Sequence, residues 1–537
     1  MMSGLIYRVS RSFFLTADIV RRLEGRITIL YPSTRQAVIK KVSSQLIRIY
    51  IIAVLTICIL FMFADISLYF CVVAGITIYV VANSSAYRGI DRLETKLLHQ
   101  MIEFIETVKF RFQFDGMVEE ALLEAINSSK SYEMSVHGQL IYEYLKESYA
   151  SDRGDYQEIS PNHFFLTFYS LCESVIKYGD KKTDTGSLFV KNLGYLKEDI
   201  NIQILKKGAI ENTFMGLTGI CIIPIYCIKP IEKWAISNMP ELASHFGGSM
   251  GKMTTMILAL LSVLLYSVIM RLKYPVWSMG ERKKWVERLN GIRFIRTMTA
   301  IYMNHSINSV VRLEKLLKSI AYPYNIAEFC IMRFVSSAFV GVFGMIISFT
   351  MGFGVISVII GISMCILWYF GKVAVIRMRR QLILMEREDE IIRFQGIILM
   401  LMHADKITVE QILEQLERFA VSFRKQIEEI SDKLSYKGMA IFKEYRDKSD
   451  FLPFNRIIDG FIACDDMYIH KAFEDVETDR RYYIDKHKQE NAYAIQQRGA
   501  VAKFLSFIPM CSVILIKLVV PFAIEGMRQM SMNSINF

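Results

Sequence analysis

Residues 47–81 read IRIYIIAVLTICILFMFADISLYFCVVAGITIYVV. Arg48 and Asp65 are the charges in this run. One crossing of a bilayer core takes about 20 apolar residues, so the stretch is too long for one span and long enough for two. Asp65, Ile66 and Ser67 divide it. The reading is a tight hairpin of two helical spans, and it sets the pattern for the rest of the chain.

Working outward, the same test predicts spans near Phe214–Ile228 and Thr254–Met270, around a linker holding Pro230, Trp234, Pro240 and Gly247-Gly248. A second tight hairpin is predicted from Phe334 to Phe370, turning near Gly352 and Gly354, and a last span from Phe504 to Ile524. The expected fold class is all-α: a polytopic membrane protein with about seven transmembrane helices and two cytoplasmic helical bundle domains. The boundaries are a basic N-terminal segment (1–46), hairpin 1 (47–81), helical domain 1 (82–212), a span pair with outer linker (213–270), a helical connector (271–332), hairpin 2 (333–371), helical domain 2 (372–503), span 7 (504–524) and an outer tail (525–537).

Composition agrees. Of 537 residues, 53% are hydrophobic, and the mean hydropathy of +0.29 exceeds that of a chain that must cover itself with polar surface. The net charge of +11 fits a membrane protein with most loops in the cytoplasm. No nucleic-acid motif accompanies the charge, so no nucleic acid is expected as a partner. The N-terminal segment carries Arg8, Arg11, Arg21, Arg22, Arg26, Arg35, Lys40 and Lys41 against Asp18 and Glu24. Basic clusters also follow the expected fourth and sixth spans, which puts the N-terminus and main soluble domains inside and the C-terminal tail outside. A cleaved signal peptide is not expected, because the N-terminal stretch is amphipathic rather than a short apolar core. Nine cysteines without a CxxC read as buried apolar thiols.

The polar regions read as helices. Leu97, Leu98, Met101, Ile102, Ile105 and Val108 recur at three- and four-residue spacings, and so do Ile391, Phe394, Ile397, Ile398 and Leu401. A faint internal repeat is visible. Arg22-Leu23-Glu24 and then Tyr31-Pro32 precede the first hairpin; Arg312-Leu313-Glu314 and then Tyr322-Pro323 precede the second. Each hairpin leads to an apolar helix, a polar break and an acidic helix. These are Phe104–Phe112, Gln113–Gly116 and Met117–Ile126 in one copy, and Phe394–Met402, His403–Lys406 and Ile407–Phe419 in the other. A charged helix, Leu196–Lys207 or Glu477–Arg498, then runs into a span.

This order of parts resembles the type II secretion F-domain family of membrane platform proteins, in the branch serving Tad/Flp pili and the archaellum. The matching stretches are Ile105–Ile126, with Met117-Val118-Glu119-Glu120-Ala121-Leu122, and Ile397–Leu416, with Ile407-Thr408-Val409-Glu410-Gln411-Ile412-Leu413. Gly116 is close to the place of the family's turn glycine, whereas the second copy has Asp405-Lys406 there. The resemblance implies a non-enzymatic platform in the cytoplasmic membrane that couples a cytoplasmic hexameric ATPase to pilin extraction and filament assembly. It implies as partners that ATPase, pilin subunits, the lipid bilayer, and a further copy or a second platform protein. The alternatives are a permease subunit of an ATP-driven transporter, argued against by spans nearly free of charge and by large soluble domains, and a membrane-anchored sensor, whose signatures are missing.

No cofactor, metal or catalytic residue is expected. The nearest phosphate cradle, Gly247-Gly248-Ser249-Met250-Gly251-Lys252-Met253, is one residue short and lacks the hydroxyl that would bind magnesium. His403 beside Asp405 reads as a helix turn, and Asp465-Asp466 as a solvated face. The candidate ATPase or lipid contacts are Lys206, Lys207, Arg282, Lys283, Lys284, Arg377, Arg379 and Arg380; these also serve as topology signals. Lys517 lies inside the last span, where a charge costs roughly 2.5–3.5 kcal/mol on insertion scales. Two readings stand for it: snorkelling toward the end of the span near Glu525, or a polar contact to a pilin helix. Pro224, Pro509 and Pro521 are expected to kink their spans.

Overall fold

The computed structural model describes residues 2–12, 14–63, 68–147, 156, 159–180, 182–183, 186–274, 297, 299, 307–319, 325–350, 356–402, 407–449 and 451–535. The described chain is helical throughout, apart from a two-residue ribbon in which Lys182–Thr183 pairs antiparallel with Gly186–Ser187. In chain order the helices are α1 (Met2–Ser12), α2 (Phe14–Leu30), α3 (Arg35–Phe63), α4 (Leu68–Asp115), α5 (Val118–Ser128), α6 (Tyr132–Glu147), α7 (His163–Tyr178), α8 (Leu188–Phe214), α9 (Leu217–Asn238), α10 (Leu242–Gly247) and α11 (Ser249–Lys273). They continue with α12 (Ile307–Ser319), α13 (Ile326–Thr350), α14 (Ile356–Leu401), α15 (Val409–Phe419), α16 (Arg424–Lys437), α17 (Ala440–Lys448), α18 (Leu452–Ala463), α19 (Ile469–Ala472) and α20 (Glu474–Ile514). A π turn (Leu515–Val519) then leads into α21 (Val520–Ile535).

Five helical stretches among the described residues are long and apolar enough to cross a membrane: Arg35–Cys58, Ile326–Ile346, and parts of Leu188–Asn238, Ser357–Leu399 and Ile484–Arg528. Seven were expected. The other two expected spans fall on the first part of α4 and on α11, both helical. Both expected hairpin tips, at Asp65 and near Gly352 and Gly354, lie outside the described residues. The surface of these helices inverts the usual rule for a water-soluble protein. Phe339, Phe343 and Phe349 on α13 and Ile359, Leu367 and Phe370 on α14 are all exposed, an arrangement that suits a lipid solvent.

The chain divides into two compact units. The first comprises Met1–Asn238, Leu258–Lys273 and Glu388–Val520; the second comprises Met239–Ile257, Tyr274–Arg387 and Pro521–Phe537. One apolar core runs through the first unit, from Leu23 and Leu46 through Leu97, Phe104 and Phe168 to Phe394, Leu413, Phe442 and Phe461. Buried residues of 97–200 and of 391–473 thus share this core, whereas 372–387 belong to the second unit. Of the expected apolar faces, Leu97, Leu98, Met101, Ile105 and Val108 are buried and Ile102 half-buried, and Ile391, Phe394, Ile397, Ile398 and Leu401 are all buried. Such faces are wide enough to bury against one another as well as against their own hairpins.

Local signals set the helix ends. Gly116 has φ +67°, a left-handed conformation that costs glycine little, and it turns the chain from α4 into α5. Thr408 and Gln411 form a reciprocal capping box at the start of α15. The Asn162 side chain accepts from the amides of Phe164 and Phe165 to open α7. Between α15 and α16 the buried Glu390 carboxylate takes the amides of Val421 and Ser422, both at 2.7 Å, and of Phe423 at 3.2 Å.

Two expectations need correction. The linker expected from Lys229 onward is largely helix, because α9 continues through Pro230 to Asn238 and α10 and α11 follow closely. Proline within a helix forfeits one backbone bond but need not end it when neighbouring helices hold the segment in place. The helix expected to run from 196–207 straight into a span is instead broken at Met215–Gly216, where Gly216 has φ +78°. In the second unit α13 and α14 pack through glycines. A Cβ on Gly361 would lie 2.9 Å from the Gly341 carbonyl oxygen and 2.8 Å from the Met345 Cβ, the close approach that small residues allow between apolar helices.

Candidate functional site

The most prominent feature beyond the apolar stretches is the α4–α5 hairpin. α4 has 48 residues, which at 1.5 Å per residue is about 72 Å, more than twice the thickness of a bilayer core. Phe110, Phe114 and Met117 are exposed, with the Phe110 and Phe114 rings in edge contact at 4.9 Å. Glu119 and Glu120 are exposed next to them, while Val118, Ala121, Leu122 and Ala125 form the buried side of α5. The tip thus combines aromatic and acidic groups on a long helical stem.

The second hairpin is built alike. α14 has 46 residues and α15, like α5, has 11. The buried residues Val409, Ile412, Leu413 and Leu416 occupy the same places in α15 that Val118, Ala121, Leu122 and Ala125 occupy in α5. Glu410 and Glu414 face outward. The turn expected at His403–Lys406, with His403 and Asp405, lies outside the described residues.

Lys206 and Lys207 do not project freely. Lys206 Nζ is 3.3 Å from Asp389 Oδ2, across the seam between α8 and α14, and Lys207 bridges Asp91 and Glu94, each at 2.8 Å. Arg377 and Arg380 are exposed on α14 and Arg379 is half-buried. Arg282, Lys283 and Lys284 lie outside the described residues. The glycine-rich stretch 247–253 runs from the end of α10 into α11 without a strand before it. A Cβ on Gly251 would stand 2.2 Å from the Phe246 carbonyl oxygen, so close helix packing accounts for this glycine without any phosphate. Asp465 and Asp466 sit exposed in the turn after α18. No group of three or more potential metal ligands occurs among the described residues.

Lys517 departs from the snorkelling reading, because its side chain turns inward. Its side chain is 1% exposed and its ammonium donates to Glu232 Oε1 at 2.8 Å. Glu232, 5% exposed on α9, receives Lys229 on its other oxygen, also at 2.8 Å. Ile228, Leu258 and Val513 pack together, with Ile231 and Ile516 against them. Lys517 lies in the π turn Leu515–Val519, where the Val520 amide bonds to the Leu515 carbonyl. Pro521 follows, and a proline has no N–H to return to the Lys517 carbonyl; a wider i→i+5 turn is one way a helix absorbs that loss. From sequence alone Glu232 falls in the expected outer linker, where no partner for a buried carboxylate is visible. The only signal was a carboxylate between two lysines, Lys229 and Lys233, next to a tryptophan.

Comparison with known proteins finds no matching family model, no similar curated protein and no similar solved structure.

Proposed function

We propose that this chain is a platform in the cytoplasmic membrane for a Tad or type IV-like pilus, or a related protein secretion machine. On this reading it has seven spans, with the N-terminus and both helical modules in the cytoplasm. It has no catalytic site of its own. A hexameric ATPase engages the hairpin tips, and movement of the long helices carries the force to pilin subunits in the membrane.

The observation that carries the proposal is the doubled hairpin on a long stem. The two 11-residue helices begin 291 positions apart, at Val118 and Val409, and share four buried positions, to which the second adds Phe419. The Arg-Leu-Glu triplets stand 290 positions apart and the Tyr-Pro pairs 291. A spacing kept to within one residue from the N-terminal helix to the hairpin supports duplication of one unit, and duplication supports two equivalent contacts for a ring-shaped motor. The exposed Phe110, Phe114 and Met117 beside Glu119 and Glu120 fit a protein partner, since buried aromatic anchors contribute most to such interfaces. Lys517 retains a role in this scheme as part of the buried pair that joins α9 to the last span, where a pilin helix would have to pass.

The test has two parts. Epitopes inserted in the turns at 129–131 and 465–467 are expected to be protected from protease in intact cells and digested after lysis. A photo-crosslinker at Phe114 is expected to capture the secretion ATPase encoded with the system. Digestion of either epitope in intact cells overturns the topology, and crosslinking unchanged by Glu119→Lys with Glu120→Lys overturns the contact.

A further inference from the structure

We propose that the groove between α12, α13 and α14 is a binding site for an anionic phospholipid. The inference rests on membrane insertion alone and not on the platform reading. It begins with α12, whose apolar stripe packs onto the hairpin: Leu313 and Leu317 are buried with Phe329, Cys330 and Ile376. Beside that contact a groove of about 720 Å³ remains open, walled by Val310, Leu313, Leu316 and Val373. Its volume is in the range of ligand sites.

The polar part of the lining is basic. Arg312, Arg333 and Arg377 face the groove, and no Asp or Glu among the described residues lines it. Arg333 is 7% exposed and held in a set pose. Its Nε donates to the Tyr369 carbonyl at 2.8 Å, and its guanidinium carbon sits 3.4 Å from the centre of the Tyr369 ring. Its terminal nitrogens make no hydrogen bond or ion pair among the described residues. A buried guanidinium fixed on one side and open on the other is suited to a phosphate, which it can grip with two parallel bonds. Arg312 and Arg377 are exposed at the rim, and no carboxylate pairs with either among the described residues.

The position selects a lipid over a soluble anion. α13 and α14 hold two of the stretches apolar enough to cross a membrane. Trp368 and Phe370 are exposed just before Lys372 and Arg377, the aromatic and basic band typical of a membrane surface. Beyond the groove α13 exposes Phe339, Val342, Phe343 and Ile346. A phosphate seated on the arginines would place its first methylenes against the apolar wall and the rest of the acyl chain along this face. The N-terminal counterpart lacks the site. Counting from the Tyr-Pro pairs, Val42 stands where Arg333 does, and Val42 is fully buried in a core with Leu23, Ile27 and Leu46.

The test uses the full-length protein in mild detergent, titrated with phosphatidylglycerol or phosphatidylcholine of the same chain length and read by native mass spectrometry. Wild type is expected to retain phosphatidylglycerol at roughly tenfold lower concentration than phosphatidylcholine, given three cationic contacts. Arg312→Gln with Arg377→Gln, both exposed and safe for folding, should weaken phosphatidylglycerol about tenfold and leave phosphatidylcholine unchanged. Arg333→Gln should weaken it further. Equal retention of the two lipids, or wild-type retention by the double variant, overturns the site. Competition by glycerol phosphate as effective as by the lipid would leave only an anion site and overturn the lipid assignment. ATPase crosslinking at Phe114 is independent of every arm, so failure of the platform reading would appear there and not here.

Discussion

Removing the Glu232 carboxylate should damage the protein more than removing the Lys517 ammonium, although the two are partners. Glu232→Gln leaves Lys517, 1% exposed, and the neighbouring Lys229 facing a neutral amide. Breaking a buried pair in this way costs about 3–5 kcal/mol, because a charge remains out of water. Lys517→Met instead leaves Glu232 with Lys229 still on its other oxygen at 2.8 Å. The charge-assisted hydrogen bond to Glu232 that this variant loses contributes about 1.5–3 kcal/mol. Glu232→Gln combined with Lys517→Met removes both charges and should return to within about 1 kcal/mol of wild type, since well-packed neutral residues often match a buried pair. Denaturation midpoints of the four full-length proteins in one detergent give the cycle. Additive single effects, or a Glu232→Gln midpoint unchanged within about 0.5 kcal/mol, would refute the argument, because additivity is what independent sites show.

Three further outcomes follow from the packing. Gly361→Ile should force α13 and α14 apart, since even a Cβ would come within 2.9 Å of the Gly341 carbonyl oxygen; overpacking of this kind costs about 1–3 kcal/mol or more, and lower abundance with faster proteolysis of the hairpin would report it. Glu390→Ala strips the acceptor from the Val421, Ser422 and Phe423 amides, at a cost of about 3 kcal/mol or more for the set, and hydrogen exchange at 421–423 should accelerate. His137 joins α6 to the end of α2 through the Leu30 carbonyl at 2.9 Å, and burial holds its pKa below the ordinary 6.5, with the Leu30 carbonyl opposing. The folded state therefore binds this proton less readily than the unfolded chain. The stability it contributes is full above about pH 6.5 and falls as pH drops below that, so midpoints at pH 5 and 7.5 should differ less in His137→Gln than in wild type.

What could be read in the sequence follows from the range of each interaction. Helical faces repeat every three or four residues, so the buried stripe of Leu97 to Val108 and that of Ile391 to Leu401 are visible in a short window. The break before α5 is visible for the same reason, because Gly116 marks it locally. Contacts between distant segments leave no such trace. Glu232 and Lys517 are 285 positions apart, and nothing in either neighbourhood names the other. Glu390 satisfies backbone amides, which every residue but proline carries, so its partners have no side-chain signature. The shared core of the two modules was hidden by the same limit: a wide apolar stripe shows that a helix is buried but not against what.

The two exits from the modules are irregular in different ways, and this bears on how the proposed platform would move. In the first copy the chain breaks at Gly216, with φ +78°, before α9 begins. In the second, α20 continues unbroken for 41 residues and widens only at the π turn around Lys517. A left-handed glycine can swing freely, whereas a π turn within a helix can shift by a residue without breaking it. The Lys517–Glu232 bond joins these two places, since Glu232 lies on the helix that follows the glycine break and Lys517 lies in the π turn itself. Ile228, Leu258 and Val513 pack together alongside. On the platform proposal, motion at either exit is expected to carry the other with it, and Glu232→Gln with Lys517→Met is expected to keep stability yet uncouple the two. A double variant that is stable but fails to assemble filaments is the result this mechanism requires. Full assembly by that variant would mean that the pair holds the fold together and transmits nothing.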